Sequence, residues 1–163
     1  MYIYIGEIVN THGVKGELRL KSSFKYKDKV FAKDKKIYVG KNKDELVIAG
    51  YRVHKDFDMI KFVGIDDIND VLIFKGEKAY ALESDIAIRE YEYLDESIIG
   101  LEVYNNDLII GKIKDVINMG ASDIFVIENE DREILIPNIS DYVIMVDVKN
   151  QRIVVKDVEG FMV

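Results

Sequence analysis

The residues of this 163-residue chain best suited to chemistry are a set of cations and its two histidines. Lys15, Arg19 and Lys21 fall at spacings of four and two, and Arg52 and His54 stand two apart. On an extended chain, residues two apart share a face. Lys15, Glu17, Arg19 and Lys21 therefore face one way while Leu18 and Leu20 face the other, and Arg52 and His54 share a face of their own. Three cations on an exposed strand face, with His12 in the turn before them, suit the phosphates of a nucleic-acid backbone. The plain alternative is a polar hairpin tip on a solvated, lysine-rich surface, and spacing alone leaves both readings open. Acidic pairs (Asp56 with Asp58, Asp66 with Asp67, Glu128 with Glu130) have the ligand type of a hard-metal site. Each falls at a predicted turn, where solvated carboxylates are the ordinary case.

Strands must position the cations. Tyr2 to Val9 is apolar and β-branched, Asn10 to Gly16 holds turn formers and two glycines, and Glu17 to Lys21 alternates strictly. The segment Ser22 to Phe31 interleaves aromatics with lysines without a clean period and reads as a loop; its rings could stack bases or anchor the loop under a barrel rim. Further strands are expected at Lys36 to Val39, Glu45 to Lys55, Met59 to Val63 and Lys78 to Leu82, with Asp56-Phe57-Asp58 as a turn. Asp66 to Gly76 is the best helix candidate, with an aspartate cap and a glycine stop. Glu83 to Asp95 reads as a linker. Short strands follow at Leu101 to Tyr104, Ile109 to Met119, Ile124 to Glu128, Glu133 to Pro137, Tyr142 to Val148 and Arg152 to Lys156. The fold class is mainly β, as two small domains over residues 1–88 and 89–163.

Composition agrees with an ordinary globular protein: 48% apolar and 33% charged residues, with a single proline. Cysteine is absent and the two histidines lie far apart, so a zinc site is not expected. No apolar run approaches the roughly 18 residues that span a bilayer, and no export signal opens the chain, which points to a cytoplasmic protein without a membrane partner. The net charge of −7 hides a division. Residues 1–90 carry 17 Lys and Arg against 15 Asp and Glu, residues 91–163 carry 6 against 15, and residues 12–43 carry 11 against 3. A basic segment and an acidic second domain suggest an anionic partner for one part and a basic protein, or plain solubility, for the other.

Residues 5–20, Ile-Gly-Glu-Ile-Val-Asn-Thr-His-Gly-Val-Lys-Gly-Glu-Leu-Arg-Leu, resemble the opening of the ribosome maturation factor RimM family. The Gly13-Val14-Lys15-Gly16 loop alone is a weak signal, because the similar loop of a KH domain joins helices, whereas strands flank this one. The resemblance runs on through residues 64–69 and 74–76, then through Gly120-Ala121-Ser122-Asp123-Ile124-Phe125-Val126 and Ile134-Leu135-Ile136-Pro137. It implies a six-stranded Greek-key barrel related to translation-factor barrels, a short linker and a PRC-type barrel. It further implies a non-catalytic assembly factor, and the chain is expected to be a monomer without cofactor or metal. Such a factor acts in maturation of the small ribosomal subunit and processing of its RNA. It binds free small subunits through ribosomal RNA of the head and the head protein numbered nineteen. On this reading His12, Lys15, Arg19, Lys21, Arg52 and His54 bind RNA and Tyr93 binds the ribosomal protein. One motif departs from the family: Tyr93 keeps half of an adjacent tyrosine pair, and Leu94 replaces the other half. Tyr91 is a possible substitute, and Tyr93 as an anchor of the linker is an equal reading. No nucleotide-binding or hydrolase motif is present. The competing class is a metal-dependent RNA-processing enzyme or a flavin-binding barrel protein.

Overall fold

A computed structural model describes residues 1–89 and 92–162, which fall into two compact units, Met1–Ala87 and Ile88–Val163. In the first, β1 (Tyr2–His12), β2 (Glu17–Lys21), β3 (Lys36–Val39), β4 (Asp44–His54), β5 (Phe57–Phe62) and β6 (Lys78–Leu82) close into a barrel in the order β1-β2-β5-β4-β3-β6. Alternation builds its core, since Ile3, Ile5, Leu18, Leu20, Ile60 and Phe62 are almost fully buried while most of their sequence neighbours turn outward. β1 runs on to His12, three residues beyond the expected end. A register shift between Ile8 and Asn10 lets it keep pairing, with Asn10 opposite Arg19 and His12 opposite Glu17. The turn is thereby confined to residues 13–16. Gly16 is indispensable there, with φ of +89° and with the space a Cβ would fill lying 2.7 Å from the Ile65 carbonyl oxygen.

Three expectations change in this unit. The loop after β2 contains a one-turn helix, α1 (Lys27–Val30), whose last residue Val30 is buried together with the following Phe31. Asp56-Phe57-Asp58 is not a turn of solvated carboxylates. Lys55 and Asp56 both take positive φ, 48° and 66°, which makes a two-residue hairpin loop tight enough to place Phe57 and Asp58 on β5. Asp58 is 2% exposed, accepts a hydrogen bond from the Tyr51 hydroxyl, and pairs with Lys27 Nζ at 2.8 Å. Burial, followed by the bond to Asp58, pushes the Tyr51 hydroxyl up to about 12, so it stays a donor. The helix expected over Asp66 to Gly76 forms only as α2 (Ile68–Val71) with a 3₁₀ turn, Leu72–Phe74. Asp67 caps it by accepting from Asn69 N at 2.8 Å, and Val71 and Phe74 face the core.

The second unit opens with a short helix unforeseen in the sequence, α3 (Asp95–Ile98), whose Ile98 is fully buried. Then come β7 (Glu102–Asn105), β8 (Leu108–Met119), β9 (Ser122–Asn129), β10 (Arg132–Pro137), β11 (Val143–Asp147) and β12 (Arg152–Val155). They form one sheet in the order β10-β9-β8-β7-β12-β11, with β7 and β12 parallel and the other pairs antiparallel. Phe125, Ile127, Ile134, Ile136, Ile153 and Val155 give it a core of its own.

Candidate nucleic-acid interface

The outward faces of β2, β5 and β4, with the end of β1, meet at one corner of the first barrel. Arg19 pairs in register with Met59 and Met59 with Arg52, while His54 pairs with Phe57 and His12 with Glu17. Four of the expected residues are thereby brought together. The rings of His12 and His54 lie 5.4 Å apart, and Arg19 Nη2 is 3.2 Å from His12 Nδ1. A guanidinium only donates, so this contact requires Nδ1 to be the acceptor and the His12 proton to sit on Nε2. The Arg19 guanidinium also stacks over the Phe57 ring at 5.0 Å, and its Nε is buried without a hydrogen-bond partner. Arg52 grips Glu17 through two bonds, Nε at 2.9 Å and Nη2 at 2.7 Å, while its side chain remains half exposed.

The electrostatics follow from these contacts. The bond to Arg52 holds the Glu17 carboxyl below its ordinary range. Burial, then the charges of Arg52, His12, Lys55 and Arg19, hold the His54 imidazole below its ordinary range as well. The corner is thus cationic through its arginines and keeps a titratable ring against them. Lys15 and Lys21 stand apart from it. Lys15 lies in the exposed turn rather than on a strand, so alternation does not govern it, and Lys21 is exposed at the far end of β2 opposite Glu7.

The residue pattern did not show two members of the corner or the role of a third. Phe57 lies in a segment that reads as a turn, Met59 is fully buried between the two arginines, and Glu17 serves as counter-ion to Arg52. A signal for Phe57 existed: an aromatic two residues beyond Lys55 returns on a tight hairpin opposite His54. Among the described residues no group of three or more His, Cys, Asp or Glu gathers as a metal site. Asp66 pairs with Lys61 at 2.9 Å and Asp67 serves as the helix cap.

Tyr93 does not present its ring as an interface centre. It is 5% exposed, stacks edge-on against Phe125 at 5.8 Å, donates its hydroxyl proton to the Asp123 carboxylate, and accepts from Asn138 Nδ2 at 2.9 Å. These contacts tie Tyr93 to β9 and to the segment after β10. Leu94, which departs from the family pair, is buried too, and Tyr91 lies outside the described residues.

Two family models divide the chain: the RimM N-terminal domain matches residues 3–86 and the RimM PRC barrel domain matches residues 95–161. The chain belongs to the RimM family. The ribosome maturation factor RimM of Staphylococcus haemolyticus (strain JCSC1435) is 39% identical over 167 residues, covering 99% of each chain. That of Geobacillus kaustophilus (strain HTA426) is 37% identical over 165 residues, covering 97% of this chain and 94% of its own. The solution structure of the N-terminal domain of RimM from Thermus thermophilus is a looser likeness: 16% identity, a TM-score of 0.46, and coverage of 53% of this chain and 94% of that one. Family membership makes this chain a ribosome maturation factor, an assembly protein and not an enzyme.

Proposed function

We propose that the chain promotes small-subunit maturation and RNA processing by holding the subunit head through both of its units. The first unit takes ribosomal RNA at the corner of His12, Arg19, Arg52 and His54, with Lys15 and Lys21 as outlying phosphate contacts. The second unit takes a basic head protein, the one numbered nineteen. The chain works in the cytoplasm, as a monomer, on free small subunits. The observation that carries the reading is the convergence of four of six expected RNA-binding residues on one barrel corner, backed by an aromatic ring. Cations suit phosphates, and a ring with a guanidinium over it suits bases or sugars at the same place. The second half rests on charge, since residues 88–163 carry 16 Asp and Glu against 7 Lys and Arg. Such a surface repels RNA and steers a basic protein toward itself.

RNA affinity should rise as pH falls from about 7.5 toward 6. His54 has its folded pKa below the ordinary value of about 6.5. In the free protein its neutral form is favoured, and its contribution to stability is present above that ordinary value and lost as pH falls through the depressed one. A phosphate beside Arg52 and Arg19 offsets the cations, raises the pKa of the bound state and draws in a proton. Titrating a fluorescent small-subunit head RNA at fixed salt across that range, with His54→Gln alongside, checks this. Equal pH slopes for both proteins would remove His54 from the interface.

A fragment of residues 88–163 should fold alone, because its core lies within itself. It should bind the purified head protein at low salt and show no affinity for head RNA. A fragment that folds by circular dichroism but binds only RNA would reverse the division of labour.

A further inference from the structure

The two second-unit motifs, residues 120–126 and 134–137, become neighbours in the sheet, and what they share is an outer face. Ile117 on β8 stands opposite Ile124 on β9, and Ile124 opposite Pro137 on β10; one row along, Val126 stands opposite Leu135. Phe125, Ile127, Ile134 and Ile136 point into the core, so alternation turns Ile124, Val126, Leu135 and Pro137 the other way. Ile117 and Met119 extend this face toward the β8–β9 turn. Ile117 is 39%, Leu135 49% and Met119 61% exposed, so β8 and β10 present apolar surface on either side of β9, whose Ile124 is half-buried and Val126 buried. On the inner side of the same hairpin, Asp123 accepts from the Tyr93 hydroxyl and from Asn118 Nδ2 at 2.7 Å, and Asn138 N bonds the Asp123 carbonyl oxygen at 2.8 Å.

We propose that this outer face of β8, β9 and β10 is the docking surface for a basic protein of the small subunit, and that Tyr93 is a positioning residue holding the hairpin from behind. The inference rests on the reading of the second unit as the protein-binding half and assigns that half its surface. Charge selects the occupant. The neighbouring outward positions are Asp115, Glu128 and Glu133, with Lys112 and Lys114, and Lys114 is tied to Glu133 at 2.5 Å. The unit as a whole is strongly acidic, so the face offers an apolar centre in an anionic setting. That combination fits a basic protein presenting an apolar spot and does not fit a phosphate backbone. Tyr93 then affects docking without touching the partner.

The test is calorimetry of the full chain with the purified head protein at low salt. Leu135→Asp and, separately, Met119→Asp should each weaken binding by about tenfold or more, as loss of an interface centre does. Leu108→Asp, at a 73%-exposed position at the start of β8, should leave binding unchanged. Met119 stands at the end of β8 beside the turn, so its variant keeps the test valid if Leu135→Asp fails to fold. Tyr93→Phe keeps the ring and removes the proton donor. It should weaken binding and raise amide exchange in residues 118–123 while exchange at Ile153 and Val155 is unchanged; uniform loss of protection would make Tyr93 merely structural. Wild-type affinity in both patch variants would overturn the docking face while leaving the second unit as the protein-binding half. No binding of the head protein by the wild type would overturn that underlying reading. Loss of a wild-type dimer in sedimentation of the patch variants, with partner affinity intact, would assign the face to a second copy and overturn the proposed occupant.

Discussion

Leu18→Asp is expected to unfold the first unit and leave the second standing. Leu18 is fully buried, paired with Thr11 on one side and Ile60 on the other, and the RNA corner depends on the same strand. The substitution removes a buried isobutyl group, worth about 2–5 kcal/mol, and places an unpaired carboxylate in its stead, at a further cost of several kcal/mol. A domain of this size has roughly 5–15 kcal/mol to lose. Circular dichroism should retain the strand signal of residues 88–163. Proteolysis should cut within 1–87, and RNA binding should disappear while binding of the head protein persists. A variant that melts within about 1 kcal/mol of the wild type would contradict the barrel register.

The second large effect concerns salt. Replacing Arg19 and Lys21 together by Ala should lower the dependence of log K on log salt for head RNA by up to about two units, one for each lost phosphate contact. If the wild-type and variant lines meet near 1 M salt, that is about a hundredfold in affinity at roughly 0.1 M. The two side chains contribute differently. Lys21 is exposed at the strand end, so its loss is electrostatic; Arg19 also stacks on Phe57 and donates to His12, so its loss loosens the corner. Lys21→Ala alone should therefore change the slope without changing the melting temperature, and Arg19→Ala should change both. An unchanged slope in the double variant would remove β2 from the RNA interface.

The contrast between these two residues shows how far a linear pattern reaches. Period-two alternation and turn chemistry are local properties, so the strands, the inward leucines of β2 and the outward Arg19, Lys21, Arg52 and His54 were all legible residue by residue. The net charge of each half was legible too, because it needs only counting. Partnership was not. That Arg52 grips Glu17, that Phe57 lies under Arg19, and that His12 meets His54 depend on β5 lying between β2 and β4, a pairing decided by barrel closure and not by any neighbouring residue. Asp58 makes the point most sharply. Its sequence setting, two residues from Asp56 beside a turn, reads as solvated, and a two-residue loop with positive φ carries it into the barrel to meet Tyr51 and Lys27. Tyr93 is the counterpart in the second unit, an aromatic whose sequence setting suggests a presented ring and which is consumed by Asp123 and Phe125. The exposed apolar face instead emerged when the successive strands β8, β9 and β10 paired and alternation turned residues of two neighbouring motifs to one side. Local pattern determines which way a side chain points from its own strand; only the closing of sheets, through contacts between residues far apart in sequence, determines what it meets there.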